Sequence, residues 1–557
     1  MSRPTPITIA LCLWLAAAQP AGAQSLEQLT NDAATPGDVL TYGMGYDARR
    51  FSPLKQVDTE SVQRLVPVWN FSLASLDGQE AQPLVHDGVM YVTTPFQTFA
   101  IDALTGRALW NNKPRMAEDV PKMACCGLIN RGAALFEGRL FRTTLDAHVQ
   151  ALDARTGKEL WKVKAADYKT GHSMTVAPMA ANGVLITGIS GGEYGIRGFI
   201  DGWDPATGKQ LWRRYTIPGP GEPGFDSWQG DAWQRGGGPT WLTGSYDPDL
   251  DLVYWGVGNA GPWNARQRPG DNLYTCSVLA IRPKTGEIVW HYQFSPNDLH
   301  DYDGVNELIL AELPVGGKPR KVLMQANRNG FLYVLDRASG ELLAANPFVK
   351  VNWAEGIDMK TGRPIESTAV KKVRASGETA ELWPSAFGGK NWMPASYDPR
   401  QNLLFANTLN VGMPYTPVKA EYKPGEWYWG MKFTGFAWPD GPRGALKALD
   451  PLTGQAKWEM PYDIPSWSGT LATAGNLVFT GAMTGEFMAV DSRNGKKLWQ
   501  FQTGSGVIGQ PVTWERDGRQ YVTVLSGIGG VFPLFAGDPR LAKVPTGGSV
   551  WTFALPE

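Results

Sequence analysis

The chain has 557 residues and a formal net charge of −1, from 52 Lys+Arg against 53 Asp+Glu, so nothing in its charge suggests a nucleic-acid partner. Its 65 Gly, 41 Pro and 23 Trp favour a turn-rich all-β protein with many aromatic anchors. Length alone allows several domains, but internal repetition argues for one.

At the N-terminus, Arg3 precedes an apolar run from Ile7 to Ala18 and then Ala21-Gly22-Ala23. This reads as a secretory signal over residues 1–23, cleaved after Ala23 and too short to span a membrane. Cys12 would leave with it, and Leu11 before Cys12 does not suit a lipoprotein site. The mature part, 24–557, then carries a net charge of −2 and the cysteines Cys125, Cys126 and Cys276 in an oxidising compartment.

One pattern recurs along the mature chain: an apolar residue and Asp, then Thr-Gly, then Trp. It appears at Asp102/Gly106/Trp110, Asp153/Gly157/Trp161 and Asp204/Gly208/Trp212, spaced by 51 residues. Weaker copies follow at Gly286/Trp290, Asp336/Gly340, Asp450/Gly454/Trp458 and Asp491/Gly495/Trp499. Each reads as a hairpin whose Asp bonds nearby backbone N–H groups and whose Gly admits positive φ, and the spacing approximates one four-stranded propeller blade. Strands near Val66 to Phe71 and Val550 to Phe553 offer two halves of a blade that closes the ring, and the gap from Asp336 to Asp450 offers room for another. An eight-bladed β-propeller is the expected fold, with seven blades as its competitor. The repeat tryptophans read as inter-blade packing; Trp241, Trp392 and Trp467 lie outside the repeat.

The departures from the repeat carry the chemistry. The doublet Cys125-Cys126 reads either as two small buried thiols or as a disulfide between neighbours, which would be strained and staple no loop. Glycine-rich segments follow at Ser190-Gly191-Gly192-Glu193, Gly236 to Trp241 and Gly256 to Asn264, and then comes His300-Asp301-Tyr302-Asp303. Glu193, Asn259, Asp301 and Asp303 are oxygen donors, suited to a hard cation of high coordination number. No Cys-x-x-Cys-His haem motif is present.

The doublet with Arg131 five residues on, Ser190-Gly-Gly-Glu193, Gly-Gly-Gly-Pro-Thr-Trp241, Gly-Asn259-Ala-Gly-Pro-Trp, Asp301-x-Asp303, Asn327-Arg328-Asn329, Lys390-Asn391-Trp392 and Trp467-Ser-Gly-Thr together resemble the quinoprotein alcohol dehydrogenases of the methanol/ethanol family. The resemblance covers the whole mature chain and implies a periplasmic propeller using pyrroloquinoline quinone (PQQ) and a metal ion. It implies that a Cys125–Cys126 disulfide and Trp241 form the two faces of a PQQ sandwich. Glu80, Arg131, Thr175, Ser190, Gly191, Gly192, Arg328, Asn391 and Trp467 then match edge contacts, with Val531 near the cofactor. Glu193, Asn259, Asp301 and Asp303 match metal ligands, and Asp301 matches the base that takes the alcohol proton while hydride passes to the quinone C5. An acid at Asp303 marks the lanthanide branch, which favours La³⁺ or Ce³⁺ with Ca²⁺ as runner-up.

The same resemblance implies a soluble cytochrome c as the electron acceptor. A homodimer stays open. Val531 stands where some methanol-type relatives have Trp, which favours alcohols larger than methanol. Residues 421–444, rich in Trp, Tyr and Phe, read as an insertion between blades that serves as a lid, a docking face or a self-packed loop. A scaffold propeller would share the repeat but has no reason to keep the doublet or the Asp301–Asp303 pair, and these motifs favour an alcohol over a sugar substrate.

Overall fold

The computed structural model describes residues 24–557; the segment read as a signal lies outside them. Each repeat forms the last two strands of a four-stranded antiparallel blade. In the first copy, strand Thr98–Asp102 enters the Asp-x-x-Thr-Gly turn and returns as Ala108–Asn112. The Asp102 carboxylate accepts the N–H groups of Leu104 and Thr105 at 3.1 and 2.9 Å, and Gly106 takes φ +71°, which a side chain would oppose. The same carboxylate-to-backbone bond recurs at Asp153, Asp204, Asp336 and Asp450.

The repeat tryptophans join neighbouring blades, as expected. A Cβ placed on Gly157 would fall 2.4 Å from Trp110, and one on Gly286 2.5 Å from Trp212. The Trp110 and Trp212 indole N–H groups donate to the carbonyls of Ala154 and Pro283 in those next blades. The copy at Asp336 has Ala344 in the tryptophan register; there Asn346 reaches the next turn instead, donating to the Leu452 carbonyl at 2.8 Å.

Eight such sheets make the ring. Seven carry a repeat, and the eighth combines Val66–Ser72 from the start of the chain with Val512–Arg516, Arg519–Ser526 and Ser549–Ala554 from its end. The gap between Asp336 and Asp450 contains no blade of its own among the described residues, contrary to the sequence expectation. It holds Ser396–Asp398 and Leu403–Leu409, the first two strands of the blade marked by Asp450, together with helix Thr368–Ser376 and two short strand pairs. The reason is that the repeat marks only a blade's last two strands. The aromatic insertion is likewise inside that blade, between Leu403–Leu409 and its partner Gly444–Leu449, and not between blades.

Strand alternation decides where the site must lie. Loops that precede first strands and loops that join second to third strands gather at one end of the ring, and the repeat turns gather at the other. On the inside, residues 39–50 form a strap across the first strands: Val39 pairs with Val85, Tyr46 Oη donates to the Ala180 carbonyl, and Leu310, Tyr397 and Ala472 donate to the carbonyls of Asp47, Arg49 and Arg50. Among the described residues, no helix is long and apolar enough to cross a membrane.

Candidate functional site

A cavity of about 450 Å³ opens at the loop end of the ring. Its lining includes Glu80, Cys125, Cys126, Arg131, Thr175, Ser190 and Gly191, and further Glu193, Trp241, Asp301, Asp303, Arg328, Asn391 and Val531. Gly192, Asn259 and Trp467 stand behind this wall. The Cys125 and Cys126 sulfurs are joined, and both lie within 4.8 Å of a Glu193 carboxylate oxygen. Cys276 is a buried free thiol.

One flank is built on Arg131, whose Nη2 is 3.0 Å from Glu80 Oε2 and whose Nη1 donates to Thr175 Oγ1 at 2.7 Å. Thr175 Oγ1 is in turn 3.2 Å from Ser190 Oγ. The Arg131 guanidinium lies 4.6 Å from the Trp241 ring centroid and 5.2 Å from that of Trp392. Burial pushes the Glu80 carboxyl up to about 7 against the pull of Arg131 and the Trp467 indole, so Glu80 is poised to hold a proton when another carboxylate approaches. Trp467 itself stacks on Phe532 at 4.8 Å. Asn391 is locked from both sides, donating to the Phe387 carbonyl and accepting the Trp392 N–H.

The other flank is acidic. Arg328 Nη1 donates to Asp301 Oδ2 at 3.0 Å and to the Asp301 carbonyl at 2.8 Å, while its Nη2 is 3.1 Å from Asp303 Oδ2. Asp303 also accepts the Asn259 N–H at 2.6 Å and the Trp241 indole N–H at 3.2 Å. Asn259 Oδ1 and Asp301 Oδ1 are buried without a hydrogen-bond partner, an uncommon condition for such oxygens. Burial raises Glu193 to about 7, with Asp303 adding to the shift. Burial also pushes Asp301 and Asp303 up, and Arg328 opposes it at both. Three carboxylates therefore share one guanidinium, an imbalance that a hard multivalent cation would correct.

Glycine makes this closeness feasible. A Cβ on Gly192 would fall 2.7 Å from Asn259 Oδ1, and one on Gly258 2.4 Å from Asp303 Oδ1. Gly191 takes φ +122° so that Glu193 can turn inward on its short 3₁₀ turn, Gly192–Tyr194. Disulfide sulfurs are no longer thiolates, so the Cys125, Cys126 and Glu193 grouping is a contact between walls and not a soft-metal site.

Beyond the residues singled out in the sequence, Phe387 and Met413 contribute to the lining, and the aromatic insertion supplies part of the wall. Trp263 lines the cavity too, as do Trp427, Trp429, Met431, Phe433 and Phe436 of the insertion. The insertion is tied across the ring: Tyr428 N–H donates to the Glu193 carbonyl at 2.7 Å, Trp263 N–H to that of Trp429 at 2.6 Å, and the Trp263 and Trp429 rings stack at 5.6 Å. Asp298 and Arg268, both buried, support the Asp301 turn from outside the cavity. Asp298 gave little signal in the sequence, because it acts on backbone groups.

The family model for the β-propeller domain of PQQ-linked glucose/ethanol/alcohol dehydrogenases matches residues 40–352 and 431–522. The quinoprotein alcohol dehydrogenase PedH of Pseudomonas putida is 42% identical over 578 residues, covering 99% of this chain and 96% of PedH. The lanthanide-dependent methanol dehydrogenase of Methylacidiphilum fumariolicum is 41% identical over 539 residues, covering 92% of this chain and 88% of its own. Among solved structures, a europium-containing methanol dehydrogenase superposes with a TM-score of 0.90 at 38% identity, covering 95% of this chain and 100% of that one.

Proposed function

The chain belongs to the PQQ-dependent quinoprotein alcohol dehydrogenases, and on that premise we propose that it oxidises primary alcohols to aldehydes in the periplasm, with a metal ion and Asp301 as base. The observation that carries the site assignment is the pair of orphaned oxygens, Asn259 Oδ1 and Asp301 Oδ1, beside Glu193, whose carboxyl burial raises to about 7. These three residues and Asp303 would hold the ion. When bound, PQQ and its metal supply a hydride acceptor and Lewis acidity.

The protein's own groups do the rest. Cys125–Cys126 and Trp241 would confine a flat cofactor between them, and Arg131, Thr175, Ser190, Gly191, Gly192, Glu80, Asn391, Trp467 and Arg328 would meet its polar edge, with Val531 beside it. Glu80, raised to about 7, can keep a proton and so lower repulsion from a cofactor carboxylate. Arg328 holds Asp301 through Oδ2 and so would orient the carboxylate that takes the hydroxyl proton. The lining aromatics and thioethers exclude water from that end.

Asp303 adds a fourth oxygen ligand and a further negative charge, which favours a trivalent lanthanide over Ca²⁺. Residues 1–23 would direct export, leaving 24–557 as one PQQ-binding domain, and electrons would leave to a separate soluble cytochrome c. The test is the purified mature chain reconstituted with PQQ and either La³⁺ or Ca²⁺ and assayed by dye-linked oxidation of primary alcohols. Activity with La³⁺ is expected. No dye reduction with either ion would overturn the function, and full activity with Ca²⁺ but none with La³⁺ would overturn the choice of metal.

A further inference from the structure

We propose that Asp298 is the positioning residue for Asp301: its buried carboxylate gathers three successive backbone N–H groups and so fixes the turn that presents Asp301 to metal and substrate. The inference rests on the reading of Asp301 as ligand and base. Asp298 is 1% exposed. Its Oδ1 accepts the His300 N–H at 3.2 Å and lies 3.3 Å from His300 Nδ1, and its Oδ2 accepts the N–H groups of Asp301 and Tyr302 at 2.9 and 3.2 Å. Convergent amides of this kind form an anion nest, here filled from within the chain.

The turn needs such a clamp. Asp301 sits at φ +66°, a conformation that a residue with a side chain keeps only when its surroundings over-determine it. The flanks are pinned separately. Arg268, buried, donates to the Asp298 carbonyl and, at 2.7 Å each, to the Pro262 carbonyl and Asn272 Oδ1. On the far side, Tyr302 stacks on His300 at 4.4 Å and its hydroxyl donates to the Pro384 carbonyl at 2.5 Å. The Asp298 carboxylate does not line the cavity, so it acts through Asp301 and not on the reacting atoms.

Asp298→Asn has nearly the same shape but turns one acceptor oxygen into an NH₂ donor facing N–H groups, so the turn loses part of its clamp. The experiment titrates the cation-free mature chain with Tb³⁺ by luminescence and separately measures PQQ retention by absorbance. Metal-site residues held by outer partners lose 10–100-fold in affinity or activity when the partner is removed. Asp298→Asn is expected to weaken Tb³⁺ by about 10–100-fold and to lower kcat of the La³⁺ enzyme with little change in KM, while PQQ is retained. Asp298→Ala, which removes both acceptors, should also fall well below the parent in Tb³⁺ affinity. Tb³⁺ affinity and kcat within about twofold of the parent would overturn the proposal, as would loss of PQQ and Tb³⁺ together in both variants, which would assign Asp298 to folding. A parent chain that binds no Tb³⁺ would instead remove the metal-site reading beneath it.

Discussion

Protons should compete with the cation at Glu193. Without an ion, burial holds this carboxyl at about 7, Asp303 pushing the same way and Arg328 opposing. Binding needs the carboxylate, so affinity is complete above that value and falls tenfold per pH unit below it. From pH 8 to pH 5, Glu193 alone should weaken the ion by roughly two orders of magnitude, about 2.7 kcal/mol at 1.36 kcal/mol per unit. Burial raises Asp301 and Asp303 as well, which acts in the same direction. A Tb³⁺ luminescence titration of the cation-free protein across this range measures it. Affinity that stays flat from pH 8 to pH 5 would falsify the account, because it would mean that no ligand carboxylate is protonated in the empty site. Glu193→Gln should weaken binding at pH 8 and remove one proton from the slope.

Replacing Asp303 by Ala removes a proposed ligand and the acceptor for the Trp241 indole and Arg328; La³⁺-supported activity should disappear while Ca²⁺-supported activity is affected less, read in parallel reconstitutions. Trp429→Ala opens the cavity wall that stacks on Trp263, and kcat/KM for a bulky alcohol relative to ethanol should change by at least about tenfold. Trp212→Ala strips the contact over Gly286 and the bond to Pro283; it should cost about 3 kcal/mol, seen as a lower denaturant midpoint with Tb³⁺ affinity unchanged.

The ring was legible because its unit is local. Asp, Thr-Gly and Trp lie within nine residues of one another in the first copy, and the tryptophan closes on a glycine one repeat later. The chain ends of the closing blade were readable from their apolar strands. The gap before Asp450 misled because a marker on the third and fourth strands says nothing of how far ahead the first two lie. In the site, Glu193, Asn259, Asp301 and Asp303 stood out in departures from the repeat, and three of them line the cavity with Asn259 behind its wall. Asp298 was silent, and so was the pairing of the motif residue Lys390 with Glu307, buried and 2.5 Å apart. One acts through backbone amides, and the other joins residues too far apart in sequence to form a motif.

The closing blade also sets a timetable. Val66 pairs with Ala554, and the Trp499 indole reaches back to the Leu65 carbonyl, so the first strand of the ring waits for the last residues to arrive. Such high contact order slows folding, and the strap across the first strands cannot settle until most blades exist. The reverse holds once the ring is shut. Parting the Val66–Ser72 and Ser549–Ala554 strands reopens the ring, so the rate of that opening should weigh on the lifetime of the native state.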